Sequence, residues 1–226
     1  MEKKPAFTLA EVLITLGIIG IVAAMTLPSL VGKYQKKVTA TKLKKSFATL
    51  QEIIRLSEKD NGEMSEWVFP ENADYAANES EFFNKYFLPY MKVVGKSGFY
   101  SPSRESYPIY NIDGNNAIEV LYWHILPDGS AIGMFSNVPS GYIWVFIDIN
   151  SKKGPNRLGK DIFMTEIYRL KKVVLYPSDF IPSKRDELVN HYNYPCKKGT
   201  NIKYAGGSCG KLIQYDGWEI KDYYPW

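Results

Sequence analysis

From Phe7 to Leu30 the chain reads FTLAEVLITLGIIGIVAAMTLPSL, an apolar run interrupted by one charge, Glu11. As an α-helix this run would be roughly 36 Å long, enough to cross a hydrocarbon core of about 30 Å. A helix apolar on every side belongs in lipid or in a bundle of like helices. Beyond it, Ala40, Leu43, Phe47, Leu50 and Ile54 recur at spacings of three and four, one apolar stripe on an otherwise polar helix. The stripe predicts that the helix continues to about Lys59, where Asp60-Asn61-Gly62 supplies residues that tolerate left-handed backbone. Residues 61–117 are irregular, rich in Tyr, Phe, Ser, Asn and Pro, with one short helix expected over Glu79–Tyr90.

From residue 118 the pattern changes to strands. Ile118–Leu126 precedes the turn Pro127-Asp128-Gly129, and Ser130–Phe135 precedes a break at Val138-Pro139-Ser140-Gly141. Tyr142–Ile149, aromatic and β-branched throughout, is the strongest strand signal, and Asp161–Tyr168 and Val173–Tyr176 continue an antiparallel sheet. The expectation is an α+β fold, with a long N-terminal helix packed by its second half on a C-terminal antiparallel sheet. Four regions follow: a short polar start at 1–6, a transmembrane helix at 7–31, an amphipathic continuation at 32–60, and a globular head at 61–226.

Composition changes this picture little. Apolar residues at 45% and charged residues at 23% exclude wholesale disorder, and 15% aromatics promise a sizeable core. Charge changes it more. The net charge is +4, yet residues 32–60 alone hold eight basic side chains against three acidic ones, while 61–226 is close to neutral. A nucleic-acid-binding domain spreads its basic patch over the folded body, so this distribution argues against nucleic acid as a partner. The lysines after the apolar run outnumber those before it, and the positive-inside rule alone would leave the head in the cytoplasm.

Two residues within the run go beyond a plain anchor. A carboxylate at Glu11 is costly in a bilayer and calls for a partner. Pro28 lacks an N–H and frees the carbonyl of Ala24, which kinks the helix or locally melts it. A cleaved secretory signal fits poorly, since its apolar region is shorter and Ala23-Ala24-Met25 is not an A-x-A site.

The start of the chain resembles a type IV prepilin or type II secretion pseudopilin leader. The short basic stretch MEKKPA is followed by Phe7, by T-L-x-E ending at Glu11, and by the apolar run. The resemblance implies cleavage between Ala6 and Phe7 by a prepilin peptidase and methylation of the new Phe7 amino group. Glu11 becomes the fifth mature residue and Pro28 the twenty-second, both family positions; Ala6 stands where the family usually has Gly. It also implies the pilin architecture and homo- or hetero-polymerisation with pilins or pseudopilins. An inner-membrane platform, an assembly ATPase and a single-pass place in a bacterial inner membrane, head extracytoplasmic, complete the implied setting. Cleavage creates an ammonium one helical turn from Glu11, and in an apolar bundle that ammonium needs a counter-charge from the same or a neighbouring subunit. Ala10, Gly17, Gly20 and Ala24 would let helices approach closely. A different class of protein fits as well: an anchored extracytoplasmic binding module that borrows the leader without polymerising.

The remaining chemistry is sparse. Cys196 and Cys209 are the only cysteines, and an even pair in an exported domain reads as a structural disulfide, as in many pilins. The loop Asp148–Asp161 offers oxygens from Asp148, Asn150, Asn156 and Asp161, and major pseudopilins carry calcium near this place. Three lysines and one arginine count against calcium, and Gly154-Pro155-Asn156 with Gly159 shapes an ordinary connection. His124 and His191 have no acid or nucleophile at motif spacing, and no hydrolase, zinc, phosphate or dinucleotide signature occurs. The sequence therefore predicts no enzyme, no cofactor and no metal. The tail GWEIKDYYPW is expected to pack on the sheet.

Overall fold

The computed structural model describes residues 8–70, 75–94, 108–119, 122–137, 142–168, 171–177 and 184–226. The cleavage residues Ala6 and Phe7 and the break at 138–141 lie outside them. Helix α1 runs from Leu9 to Asn61, 53 residues, passing through Pro28 as one continuous element. Two compact units divide it, one ending at Val38 and the other comprising Thr39–Trp226.

In the first unit the apolar side chains are exposed. Leu13 is 60% exposed, Ile21 60% and Leu30 64%. The helix is long and apolar enough to cross a membrane. Two threonine hydroxyls in the apolar stretch are satisfied within the helix, as lipid requires. Thr15 Oγ1 donates to the Glu11 carbonyl at 2.7 Å, and Thr26 Oγ1 donates to the Val22 carbonyl at 2.9 Å.

In the second unit the same helix buries Thr39, Ala40, Leu43, Ser46, Phe47, Leu50, Ile53, Ile54 and Ser57. The apolar stripe is the predicted one, widened by Ile53 and flanked by small hydroxyl residues. Gly62, at φ 78°, ends the helix in the left-handed region, and its carbonyl accepts a bond from Trp67 Nε1 at 2.9 Å.

A five-stranded antiparallel meander lies against this half of the helix. Strands β1 (Pro108–Tyr110) and β2 (Asn116–Glu119) form a separate hairpin. The meander is β3 (Tyr122–Ile125), β4 (Ala131–Asn137), β5 (Tyr142–Asp148), β6 (Ile162–Tyr168) and β7 (Lys171–Leu175), adjacent in chain order. The single strand expected over Ile118–Leu126 is thus corrected. Ile118 pairs with Ile109 in the hairpin, while Trp123 pairs with Gly133 in the meander. A β-branched and aromatic run marks extended backbone without naming the partner strand, so two strands with different partners read as one.

Strand β5 is apolar at nearly every position because both of its faces are covered. Ile143, Val145 and Ile147 join Leu43, Phe47 and Leu50 in the core against α1. Trp144 and Phe146 join Ile109, Leu158, Ile162 and Met164 in a second core on the opposite face. That second core is closed by Tyr176, Tyr194 and Tyr204, whose rings surround Trp144 at 5.7–6.2 Å between centroids.

Helix α2 (Tyr75–Tyr86) and a 3-10 turn at Leu88–Tyr90 replace the single helix expected over Glu79–Tyr90. Phe82, Phe83, Tyr86 and Phe87 are buried, and Tyr86 stacks on Trp67 at 4.5 Å. Further along, α3 (Arg185–Val189) and α4 (Cys209–Tyr215) frame the C-terminal loop. Cys196 and Cys209 are bonded, both buried. Gly206, at φ 100°, lies so close to Leu158 that a Cβ would sit 2.5 Å from the Leu158 carbonyl oxygen. This position admits only glycine. In the tail, Tyr224 is buried with its hydroxyl donating to the Gly159 carbonyl, and Trp218 rests against Phe47 of α1 at 6.1 Å.

Candidate functional site

The first turn of α1 is closed by a reciprocal pair. The Thr8 hydroxyl accepts a bond from the Glu11 backbone N–H at 3.2 Å, while Glu11 Oε2 accepts bonds from the Thr8 N–H and the Thr8 hydroxyl, both at 2.8 Å. This is a capping box: it satisfies two of the backbone donors that every helix start leaves without partners. It also sets a carboxylate where the helix dipole favours negative charge. Among the described residues Glu11 Oε1 accepts no hydrogen bond, so one oxygen at the start of the helix stays open to a further donor. The sequence reading gave Glu11 a partner outside its own turn and missed Thr8. The signal was present, since T-x-x-E before an apolar run is the capping-box pattern.

Pro28 lies on the same exposed stretch, and Gly17 and Gly20 have open space around them, with nothing within 4 Å of an added Cβ. The first unit therefore offers a capped helix start, an open carboxylate oxygen and a smooth apolar surface. Such a surface binds by burial and close packing.

The titratable groups of the head serve other ends. His124 is buried on β3 and stacks on Phe83 at 4.0 Å; burial lowers its pKa to about 4, so it is neutral. His191 sits beside Tyr192 and Tyr194, and its Nδ1 accepts from the Tyr194 N–H at 3.3 Å. In the loop Asp148–Asp161 the carboxylates are taken up by the loop itself. Asp161 accepts the Asn156 and Arg157 N–H groups at 2.9 and 2.7 Å, and Asp148 accepts the Asn150 N–H at 2.9 Å. Burial raises the Asp161 pKa and these bonds oppose the rise. Among the described residues no three His, Cys, Asp or Glu side chains gather as metal ligands would.

Comparison with known proteins adds two matches. Residues 1–27 match the prokaryotic N-terminal methylation motif, which covers Ala6, Phe7 and Glu11. Residues 29–226 match the family of unknown function DUF6613, most of the chain. The chain belongs to that family. This DUF6613 member carries a prepilin-type leader, and its long helix on a five-stranded antiparallel sheet is a pilin-like architecture. Pro28 falls between the two matched regions. Neither the curated proteins nor the solved structures hold a match.

Proposed function

We propose that this protein is a structural subunit, not an enzyme, that polymerises through α1 into a type IV pilus or a type II secretion pseudopilus. A prepilin peptidase hydrolyses the Ala6–Phe7 peptide bond, leaving a carboxylate on Ala6 and an ammonium on Phe7, which is then methylated. The subunit waits in a bacterial inner membrane with its head extracytoplasmic, and an assembly platform and ATPase move it into a polymer with pilins or pseudopilins. The observation that carries the reading is the open Oε1 of Glu11 beside a capped helix start, one turn from the new ammonium. The exposed apolar surface of Leu9–Leu30 supports it, since a bundle of such helices would cover that surface.

One observation favours a second reading, the anchored binding module. The capping box gives Glu11 a local partner in Thr8, and a mere anchor could keep Glu11 for that alone. Glu11→Gln separates the two readings, because glutamine closes a capping box without a charge. If the charge matters, correctly cleaved Glu11→Gln protein enters filaments poorly, at least ten-fold below wild type, and Glu11→Ala is no better. If only the cap matters, Glu11→Gln assembles like wild type and Glu11→Ala is merely weakened. Cleavage and methylation are followed by intact mass in the same samples, since a processing defect would mimic an assembly defect.

A further inference from the structure

The short side chains of Ala48 and Thr49 leave α1 thin on one side. A groove of about 530 Å³ lies there, between the helix, the segment Tyr90–Lys92 and the turn at Leu126–Asp128. All of it belongs to the second unit. Its walls are tied together: the Val94 N–H donates to the Ile125 carbonyl at 3.1 Å, and Lys45 reaches from α1 to Asp128 at 3.0 Å. Ile53, Met91 and Leu126 are buried and Leu56 is half-buried, so the floor is apolar. The volume falls in the range of small-molecule sites, about 300–1,000 Å³, which combine an apolar lining with a few fixed polar groups.

Every polar side chain on the groove but one already has a partner. Glu52 holds Arg55 through both carboxylate oxygens, at 2.7 and 2.6 Å. Asp128 accepts from the Ser130 N–H and hydroxyl as well as from Lys45. The Thr49 hydroxyl donates to the Lys45 carbonyl at 3.1 Å, and the Tyr90 hydroxyl accepts from Asn61 Nδ2 at 2.9 Å. Lys92 is exposed, and among the described residues its ammonium has no hydrogen bond or ion pair. We infer that the groove binds a small amphiphile with an apolar tail and one anionic head, an alkyl carboxylate, with Lys92 as its counter-charge. Both rim carboxylates are neutralised by their own cations, so the charge left open is positive. A cationic head would first have to displace Lys45 or Arg55. The tail takes the apolar floor out of water and supplies most of the affinity. The head adds selection by charge, which salt screens. The site is independent of what the first half of α1 does, because no residue before Thr39 contributes to it.

The test uses the full chain in lipid nanodiscs, with methionine methyl groups labelled by carbon-13 for NMR and octanoate as the probe. The Met91 methyl resonance should move saturably as octanoate is added, while Met164, in the core on the opposite face of the sheet, stays still. Octanol, with the same tail and no charge, should bind roughly three- to five-fold more weakly, and Lys92→Gln should weaken octanoate by the same factor. Octylammonium should bind no better than the alcohol. Ala48→Trp, which fills the groove from an exposed position, should abolish the Met91 response. Absence of a saturable Met91 shift overturns the proposal, as does a shift that Met164 shares or that survives Ala48→Trp. Equal binding of octanoate and octanol overturns the anionic head, and so does unchanged octanoate binding in Lys92→Gln or tighter binding of octylammonium. Lys92→Gln changes only an exposed side chain, so the proposal stays testable if Ala48→Trp fails to fold.

Discussion

The two halves of α1 are one secondary structure in two different environments. Residues 9–38 present leucine and isoleucine outward, while from Thr39 nine residues turn inward beneath a sheet. Helix propensity does not separate them, since both halves are helical. The distribution of apolar positions does: all round in the first half, every third or fourth in the second. The first half is exposed and long and apolar enough to cross a membrane, whereas the second half buries its apolar stripe within the chain.

The comparison can be broken most sharply by one substitution made twice. Leu43→Ala removes a fully buried side chain and should cost about 2–5 kcal/mol, lowering the head's Tm by roughly 10 °C. Leu13→Ala, at 60% exposure on the same helix, should leave that Tm unchanged. Equal shifts would mean that the two halves are not energetically distinct.

Replacing Cys196 and Cys209 together by serine should cost about 3 kcal/mol, and hydrogen exchange should quicken at Leu43–Ile54 but not at Leu13–Leu30. Acid should act on the head in the same one-sided way. His124 has a pKa of about 4 when folded and an ordinary value near 6.5 when unfolded, so the unfolded state takes up the proton first. Stability is full above pH 6.5 and falls toward pH 4, by roughly 3 kcal/mol at most. Asp161, raised by burial, contributes in the opposite sense below its own folded value. Denaturant midpoints across this range should lose most of their downward slope in His124→Phe; an unchanged slope places the acid sensitivity elsewhere. The smallest effect belongs to the exposed half. Thr8→Ala should weaken the helix start by about 1 kcal/mol, seen as faster exchange at Leu9–Leu13 with the head's Tm unmoved, and Thr8→Ser should restore it.

Much of this was legible in the sequence, for identifiable reasons. The apolar run, the stripe of Leu43, Phe47 and Leu50, and the aromatic strand at Tyr142–Asp148 all repeat with the period of their element. What escaped notice has no period. Strand β1 is three residues long and exists because Ile109 fits beneath Leu158 and Ile162 in the second core. The lid of that core comes from Tyr176, Tyr194 and Tyr204, brought together by the closed C-terminal loop at spacings no pattern contains. Of the candidate site, Glu11 was visible as an anomaly, a charge in an apolar run. Its bond to Thr8 was written in the sequence but hidden by a more distant explanation for the same carboxylate.

The continuity of α1 has a mechanical consequence. A pull applied at Thr8 is carried by a continuous helix, short of one backbone hydrogen bond at Pro28, to Thr39. Within the second unit, a force directed along the helix axis at Thr39 loads the interface with the sheet in shear. Side chains from Thr39 to Ser57 then resist together, where a peeling geometry would release them one by one. A force entering through the helix therefore arrives in the core without first crossing a loop.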